Sequence, residues 1–117
     1  VEAQVDKVLL GQALGILVDN AVNYSGENPE IVVGLAKSED RIRITVHDNG
    51  LGISTQDIER IFERFYRGSN ATSVKPSGHG LGLSLAKDIV TRHGGSITAH
   101  SSKKTGTTFT INIAPLV

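Results

Sequence analysis

The chain has 117 residues, no cysteine, and twelve Lys or Arg against twelve Asp or Glu, so its formal net charge is zero. This length fits a single domain over residues 1–117, which buries about 65% of its unfolded surface and can form one hydrophobic core. A neutral chain has no long-range field to attract nucleic acid or anionic lipid, so we expect no nucleic-acid partner and no direct membrane contact. The absence of cysteine excludes disulfides and thiolate metal sites.

The first predicted elements are an edge strand over residues 1–4 and an amphipathic helix over residues 6–24. Asp6 is a typical helix N-cap, and apolar residues recur after it at spacings of three and four. One side of this helix, among mostly apolar neighbours, carries four residues at i, i+4, i+7 and i+8: Ile16, Asn20, Asn23 and Tyr24. We therefore expect Asn20 to face something other than bulk water.

Two strands follow, over residues 31–36 and 41–48, joined by a short polar segment that is typical of a hairpin. In the second strand apolar and polar residues alternate, which buries one face and places Asp48 on the buried side at the strand's end. A buried carboxylate is costly unless it accepts strong hydrogen bonds, so Asp48 is a candidate ligand-binding residue. The alternative is an Asp that only begins the turn with Asn49 and Gly50.

The second half of the chain begins with a short predicted helix. Ser54 and Asp57 resemble a capping box at its start, and apolar residues continue to Phe65, where we expect it to end. Residues 66–77 are polar and lack an apolar period, which favours a functional loop, here called the lid. A third helix then ends at Gly94, and strands are predicted over residues 96–100 and 107–113. Adjacent strands, with helices that can cover one face, favour an α+β two-layer sandwich.

Two glycine clusters frame the lid, at residues 48–52 (DNGLG) and 78–83 (GHGLGL). In the first, Gly50 and Gly52 allow the backbone to approach a ligand closely. The second directly precedes a helix, whose free N–H groups and positive dipole end favour phosphate. The alternative is a glycine hinge that only begins the helix. A Walker A loop is excluded because no Gly-Lys-Ser/Thr follows, and a dinucleotide fingerprint because no strand precedes the cluster.

The two glycine clusters in this order, with Asn20-Ala21 upstream and Gly106-Thr107-Thr108 downstream, resemble the ATP-binding catalytic domain of bacterial sensor histidine kinases. These kinases share a superfamily with gyrase, Hsp90 and MutL. The resemblance covers residues 1–114 and implies the Bergerat fold, a mixed sheet of about five strands backed by three helices. It implies ATP and Mg²⁺ as cofactors. We expect an excised cytoplasmic domain of a membrane-anchored sensor, with the phosphoacceptor and sensor domains absent from this chain.

For the adenine base, the resemblance implies that Asp48 accepts hydrogen bonds from the exocyclic amine, directly and through water. Guanine would be discriminated against, because its carbonyl would oppose the carboxylate. Tyr24 would pack beside the base, Ile53 would form an apolar wall, and Thr107 would support the water network around Asp48.

For the phosphates and the metal, the resemblance implies that Asn20 holds Mg²⁺ and that Arg67 reaches the terminal phosphate, which makes these two the catalytic residues. The phosphates would also contact the second glycine cluster, through Gly78, Gly80, Leu81 and Gly82. The sequence departs from the family at two positions on the first helix. Ile16 stands where the family has a polar residue, commonly Asn, and Asn23 stands where it often has Lys.

The resemblance implies a histidine kinase domain that transfers the γ-phosphoryl group of ATP to a histidine on a separate helical domain, with a response regulator as the indirect partner. The two departures favour an alternative, a nucleotide-gated binding module with weak or no transferase activity. An anti-sigma-type serine kinase is disfavoured by the motif at residues 62–67. A gyrase-type ATPase is the least favoured, since its catalytic Glu would fall at Ile16.

Overall fold

The computed structural model describes residues 6–24, 28, 30–38, 41–50, 52–58, 60–63, 82–102 and 106–114. Its elements, in chain order, are α1 (Lys7–Tyr24), β1 (Ile31–Lys37), β2 (Ile42–Asp48), α2 (Thr55–Ile58), α3 (Gly82–Arg92), β3 (Ser96–Ser102) and β4 (Gly106–Ile113). The predicted edge strand at residues 1–4 and the lid at residues 66–77 lie outside the described residues. No helix among the described residues is long and apolar enough to cross a membrane.

The four described strands form one sheet in the order β1-β2-β4-β3, and each neighbouring pair is antiparallel. This confirms the α+β class. The expectation of a mixed sheet of about five strands is corrected for the described part of the chain. The links from β1 to β2 and from β3 to β4 are too short for a parallel crossover, so both pairs are hairpins.

Helix α1 begins as its sequence predicts, at the Asp6 cap. The Asp6 carboxylate accepts hydrogen bonds from the backbone N–H groups of Val8 and Leu9, both at 3.0 Å. The backbone N–H of Asp6 donates to Nε2 of His93 at 2.9 Å, and Nδ1 of His93 lies 2.8 Å from the carbonyl of Ile89. Because an N–H can only donate and a carbonyl can only accept, Nδ1 carries the proton. His93 therefore joins the start of α1 to the end of α3.

Helix α2 is shorter than predicted. Ser54 caps it, accepting from the backbone N–H of Asp57 at 3.1 Å, but the helix ends at Ile58. Residues 60–63 continue in turns, with bonds from Arg60 N–H to the Asp57 carbonyl and from Glu63 N–H to the Arg60 carbonyl. These three-residue steps are tighter than α-helical ones, which is why the helix does not extend towards Phe65, itself outside the described residues.

The core lies between the sheet and the helices, which cover one face of it. Its buried apolar side chains come from α1, α3, the turn after α2 and the inward faces of β2, β3 and β4: Ala13, Leu17, Ala21, Val46, Ile61, Ala86, Ile89, Val90, Ile97, Phe109, Ile111 and Ile113. Phe109 is fully buried and meets the half-buried ring of Phe62 edge to face, with ring centroids 6.1 Å apart. The predicted two-layer arrangement is thus the observed one.

Candidate nucleotide-binding site

Asp48 is the last residue of β2 and is only 2% exposed. Its Oδ1 accepts a hydrogen bond from the backbone N–H of Gly50 at 2.8 Å. The predicted burial at the strand end is therefore confirmed, and the bond from Gly50 shows that Asp48 also begins the turn. A carboxylate can accept about four hydrogen bonds, and one comes from the described residues, so Asp48 has acceptor capacity left for a ligand.

Two glycines with positive φ angles bring backbone close to this site. Gly106, with φ of +85°, lies so near that an added Cβ would overlap the carbonyl oxygen of Asp48. At Gly52, with φ of +80°, an added Cβ would lie 3.1 Å from Oγ of Ser101 and 3.1 Å from the carbonyl oxygen of Ser102. The start of β4 and the turn after β2 therefore need glycine at these points.

A chain of hydroxyl groups connects this turn to the sheet. The backbone N–H of Ile53 donates to Oγ of Ser101 at 2.5 Å, and Ser101 lies 3.0 Å from Oγ1 of Thr107. Thr107 is 4% exposed and stands directly opposite Asp48 in the β2–β4 register. Sequence reasoning found Ile53 and Thr107 but missed Ser101. The signal was available, because alternation from Ile97 places Ser101 on the inward face of β3.

On the side expected to hold phosphate, α1 packs against α3. Asn20 is half-buried on α1, as expected for a residue that does not face bulk water. Ile16, one turn before Asn20 on α1, is half-buried and packs beside the start of α3. An added Cβ on Gly82 would be 3.4 Å from Cγ2 of Ile16. The departure at position 16 therefore faces the helix end where phosphate binding was predicted.

The described residues thus place two groups of predicted site residues. Five lie where β2 ends and β4 begins: Asp48, Gly50, Gly52, Ile53 and Thr107. Two lie on the helices that pack together, Asn20 on α1 and Gly82 at the start of α3. Four of the remaining predicted residues lie outside the described part of the chain: Arg67, Gly78, Gly80 and Leu81. For Asn23 and Tyr24, the backbone is described but the side chains are not.

The fold is that of the catalytic domains of histidine kinases. A mycobacterial sensor histidine kinase, MprB, has a solved structure with a TM-score of 0.84 and 29% identity, covering 97% of this chain and 78% of that one. The nucleotide-free catalytic domain of the histidine kinase ThkA gives a TM-score of 0.82 and 29% identity, covering 97% of this chain and 71% of that one.

Residues 5–116 match the sequence profile of the histidine kinase-, DNA gyrase B- and HSP90-like ATPases, and the chain belongs to this family. Sensor protein CiaH of Streptococcus pneumoniae serotype 4 is 45% identical over 109 residues, which are 93% of this chain and 24% of that protein. Sensor-like histidine kinase SenX3 of Mycobacterium tuberculosis H37Rv is 40% identical over 112 residues, 96% of this chain and 27% of that protein. The chain spans about a quarter of the length of these relatives. The predicted family is confirmed, and ATP is the ligand that membership of this ATPase family implies.

Proposed function

We propose that this domain binds ATP with Mg²⁺ and supplies the γ-phosphoryl group to a histidine on a separate helical domain, on the cytoplasmic side of a membrane-anchored sensor. A response regulator would then take the group from that histidine. The similarity to sensor proteins and histidine kinases supports this role. The single observation that carries it is Asp48, a carboxylate 2% exposed, with remaining acceptor capacity, at the end of β2 beside two close backbone approaches.

The base site follows from the chemistry of Asp48. An acceptor-only carboxylate recognises the exocyclic amine of adenine and opposes the carbonyl of guanine, and burial makes an unpaired acceptor costly. The bond from Gly50 N–H fixes one carboxylate oxygen, so the orientation of the other is fixed too. Thr107, opposite Asp48, is close enough to hydrogen-bond a water shared with the carboxylate. Tyr24 completes this site in the proposal as the residue packed beside the base.

The phosphate site would lie at the start of α3. Its first residue is the exposed Gly82, and the backbone N–H groups at the N-terminus of a helix suit an anion. Arg67 would contact the terminal phosphate through its guanidinium fork, whose planar geometry matches phosphate oxygens. Gly78, Gly80 and Leu81 would supply further backbone donors.

Asn20 suits Mg²⁺, because a hard cation takes an amide oxygen and keeps most of its other ligands from water and phosphate. The described residues contain no group of three or more His, Cys, Asp or Glu that could hold a metal. Ile16, one turn before Asn20, offers none. When bound, the ion would neutralise phosphate charge. The residues of this chain contribute mainly by binding and orienting the nucleotide.

Phosphoryl transfer tests the proposal. The chain is incubated with γ-labelled ATP, Mg²⁺ and an added helical domain that carries the acceptor histidine, and acid-labile, base-stable label on that domain is measured. We expect label with the wild-type chain and a loss of at least about tenfold in Asn20→Ala, since an interaction with phosphate charge in the transition state is removed. Gln12→Ala, an exposed change on the same helix, is the matched control. Equal labelling by Asn20→Ala and wild type would contradict the role of Asn20, and no labelling by wild type would contradict the transferase assignment.

Ile16 favours a second candidate, a nucleotide-gated binding module with weak or no transfer. Its apolar side chain lies beside the start of α3, at a position where the resemblance to the kinases implies a polar group. The two functions share the base site and differ in the use of Mg²⁺. Nucleotide binding that is insensitive to Mg²⁺, together with no labelling of the acceptor domain, would favour the module.

A further inference from the structure

We propose that Ser101 is a positioning residue for the adenine site, acting on the base through Thr107 and Ile53. The inference rests on the proposed function, because it concerns the same nucleotide. Ser101 lies on the inward face of β3, two strands away from Asp48 in the sheet order. It has two hydrogen-bond partners that border the site, the backbone of Ile53 and the side chain of Thr107.

Chemistry fixes the direction of the bond from Ile53, whereas the bond between the two hydroxyl groups can run either way. The backbone N–H of Ile53 can only donate, so Ser101 accepts it. A hydroxyl oxygen can accept two hydrogen bonds, so in the pair formed by Oγ of Ser101 and Oγ1 of Thr107, 3.0 Å apart, either hydroxyl can be the donor. When Ser101 donates, the hydroxyl hydrogen of Thr107 is available to point towards Asp48, its direct cross-strand neighbour. With either donor, the bond to Ser101 restrains the Thr107 hydroxyl opposite the carboxylate and any water between them.

The same hydroxyl also fixes the chain after β2. Ile53 would form a wall of the base site, and its N–H is held by Ser101. The preceding residue, Gly52, passes so close that an added Cβ would lie 3.1 Å from Oγ of Ser101. A short side chain with one hydroxyl fits this space. Ser101 therefore connects three elements behind the expected position of the base: strand β3, strand β4 and the turn that follows β2.

Calorimetric titration with two nucleotides separates a positioning role from a general structural one. ADP carries the exocyclic amine that Asp48 would bind, whereas nebularine 5′-diphosphate lacks it. Removing one net hydrogen bond should weaken ADP binding by about two- to twelvefold in Ser101→Ala. Nebularine diphosphate has no amine for Asp48 to bind, so its affinity should not depend on how Thr107 and Asp48 are arranged. We therefore expect its affinity to change by less than about twofold. Ser96→Ala, an exposed change on the same strand, should leave both affinities as in wild type.

A double-mutant cycle with Thr107→Val tests whether Ser101 acts through Thr107. The double variant should lose no more ADP affinity than about the larger single loss, since residues in one hydrogen-bond network are not additive. Thermal unfolding shows that each variant is folded. If Ser101→Ala does not fold, Thr107→Val breaks the same bond from its other end and must itself lower the preference for ADP over nebularine diphosphate.

Three results would overturn the inference and leave the proposed function standing. Wild-type ADP affinity in Ser101→Ala would remove the role altogether. Equal losses for ADP and nebularine diphosphate would show a structural effect that does not reach the amine. Full additivity with Thr107→Val would show that Ser101 does not act through Thr107. If the wild-type chain binds neither nucleotide, the proposed function fails and the inference fails with it.

Discussion

Replacing Gly106 with Ala should disrupt the domain at the point where β4 passes Asp48. Gly106 has φ of +85°, a left-handed conformation that is unfavourable by about 1–2 kcal/mol for a residue with a Cβ. The added Cβ would overlap the carbonyl oxygen of Asp48 and lie 2.8 Å from its carbonyl carbon. Ordinary contact between carbon atoms is about 3.5–4.0 Å, so backbone must move by roughly 0.7 Å or more.

The loss of stability in Gly106→Ala has two contributions, the strain of the left-handed backbone and the overlap with Asp48. Substitutions of other glycines separate them. Gly94 has φ of +71° but no atom within 4 Å of an added Cβ, so Gly94→Ala carries the backbone strain without the overlap. Gly11 lies in α1 and likewise has no atom within 4 Å of an added Cβ. Gly11→Ala should therefore stabilise the helix by about 0.5–1 kcal/mol. We expect a loss of about 1 kcal/mol for Gly94→Ala and about 3 kcal/mol or more for Gly106→Ala.

Thermal unfolding followed by circular dichroism measures the series. At about 4 °C per kcal/mol for a domain of this size, Gly106→Ala should lower Tm by about 12 °C or more, and Gly94→Ala by about 4 °C. Gly106→Ala should also weaken ADP binding at a temperature where it is folded, because the backbone of Asp48 is displaced. A Tm for Gly106→Ala equal to that of Gly94→Ala would refute the close approach of β4 to Asp48.

Three further predictions concern the helices. The double substitution Ile16→Asn and Asn23→Lys should raise the affinity for Mg-ATP more than that for ADP, because it adds an oxygen ligand for Mg²⁺ and a cation that can contact phosphate. An unchanged ATP-to-ADP affinity ratio and Mg²⁺ dependence would contradict this. His93→Ala removes one hydrogen bond to the start of α1 and one to the Ile89 carbonyl of α3, and it should lower the free energy of unfolding by about 1–2 kcal/mol in a urea titration. His100→Ala, on an exposed strand position, should not; equal effects would be inconsistent with a His93 link between α1 and α3. Lys87→Ala loses an exposed contact 5.8 Å from the centroid of the Phe62 ring and should change stability by at most about 1 kcal/mol in the same titration, and a larger loss would contradict that estimate.

Local sequence signals predicted the features that depend on neighbouring residues. The Asp6 cap and the spacing of apolar residues predicted α1, and strict alternation in β2 predicted the burial of Asp48. The end of α3 at two glycines was also predictable, because Gly94 adopts the left-handed conformation that commonly terminates helices. Each of these features is decided within a few residues of chain.

Features that depend on strand pairing were not predictable from the residues alone. Ser101 acquires its role because the β3–β4 register sets it opposite Thr107, and the β2–β4 register sets Thr107 opposite Asp48. The close approach of Gly106 to Asp48 arises from the same pairing. The length of α2 was overestimated because apolar spacing continues beyond Ile58, while the backbone there already forms tighter turns.

Calorimetric titration of ADP and GDP into the wild-type chain and Asp48→Asn tests the central claim most directly. The substitution keeps the shape of the side chain and turns one acceptor oxygen into a donor that faces the adenine amine. Losing a charge-assisted hydrogen bond of about 1.5–3 kcal/mol should weaken ADP binding by about 10- to 150-fold and reduce the preference for ADP over GDP. Wild-type ADP affinity in Asp48→Asn, with an unchanged preference over GDP, would contradict the assignment of Asp48 to the base.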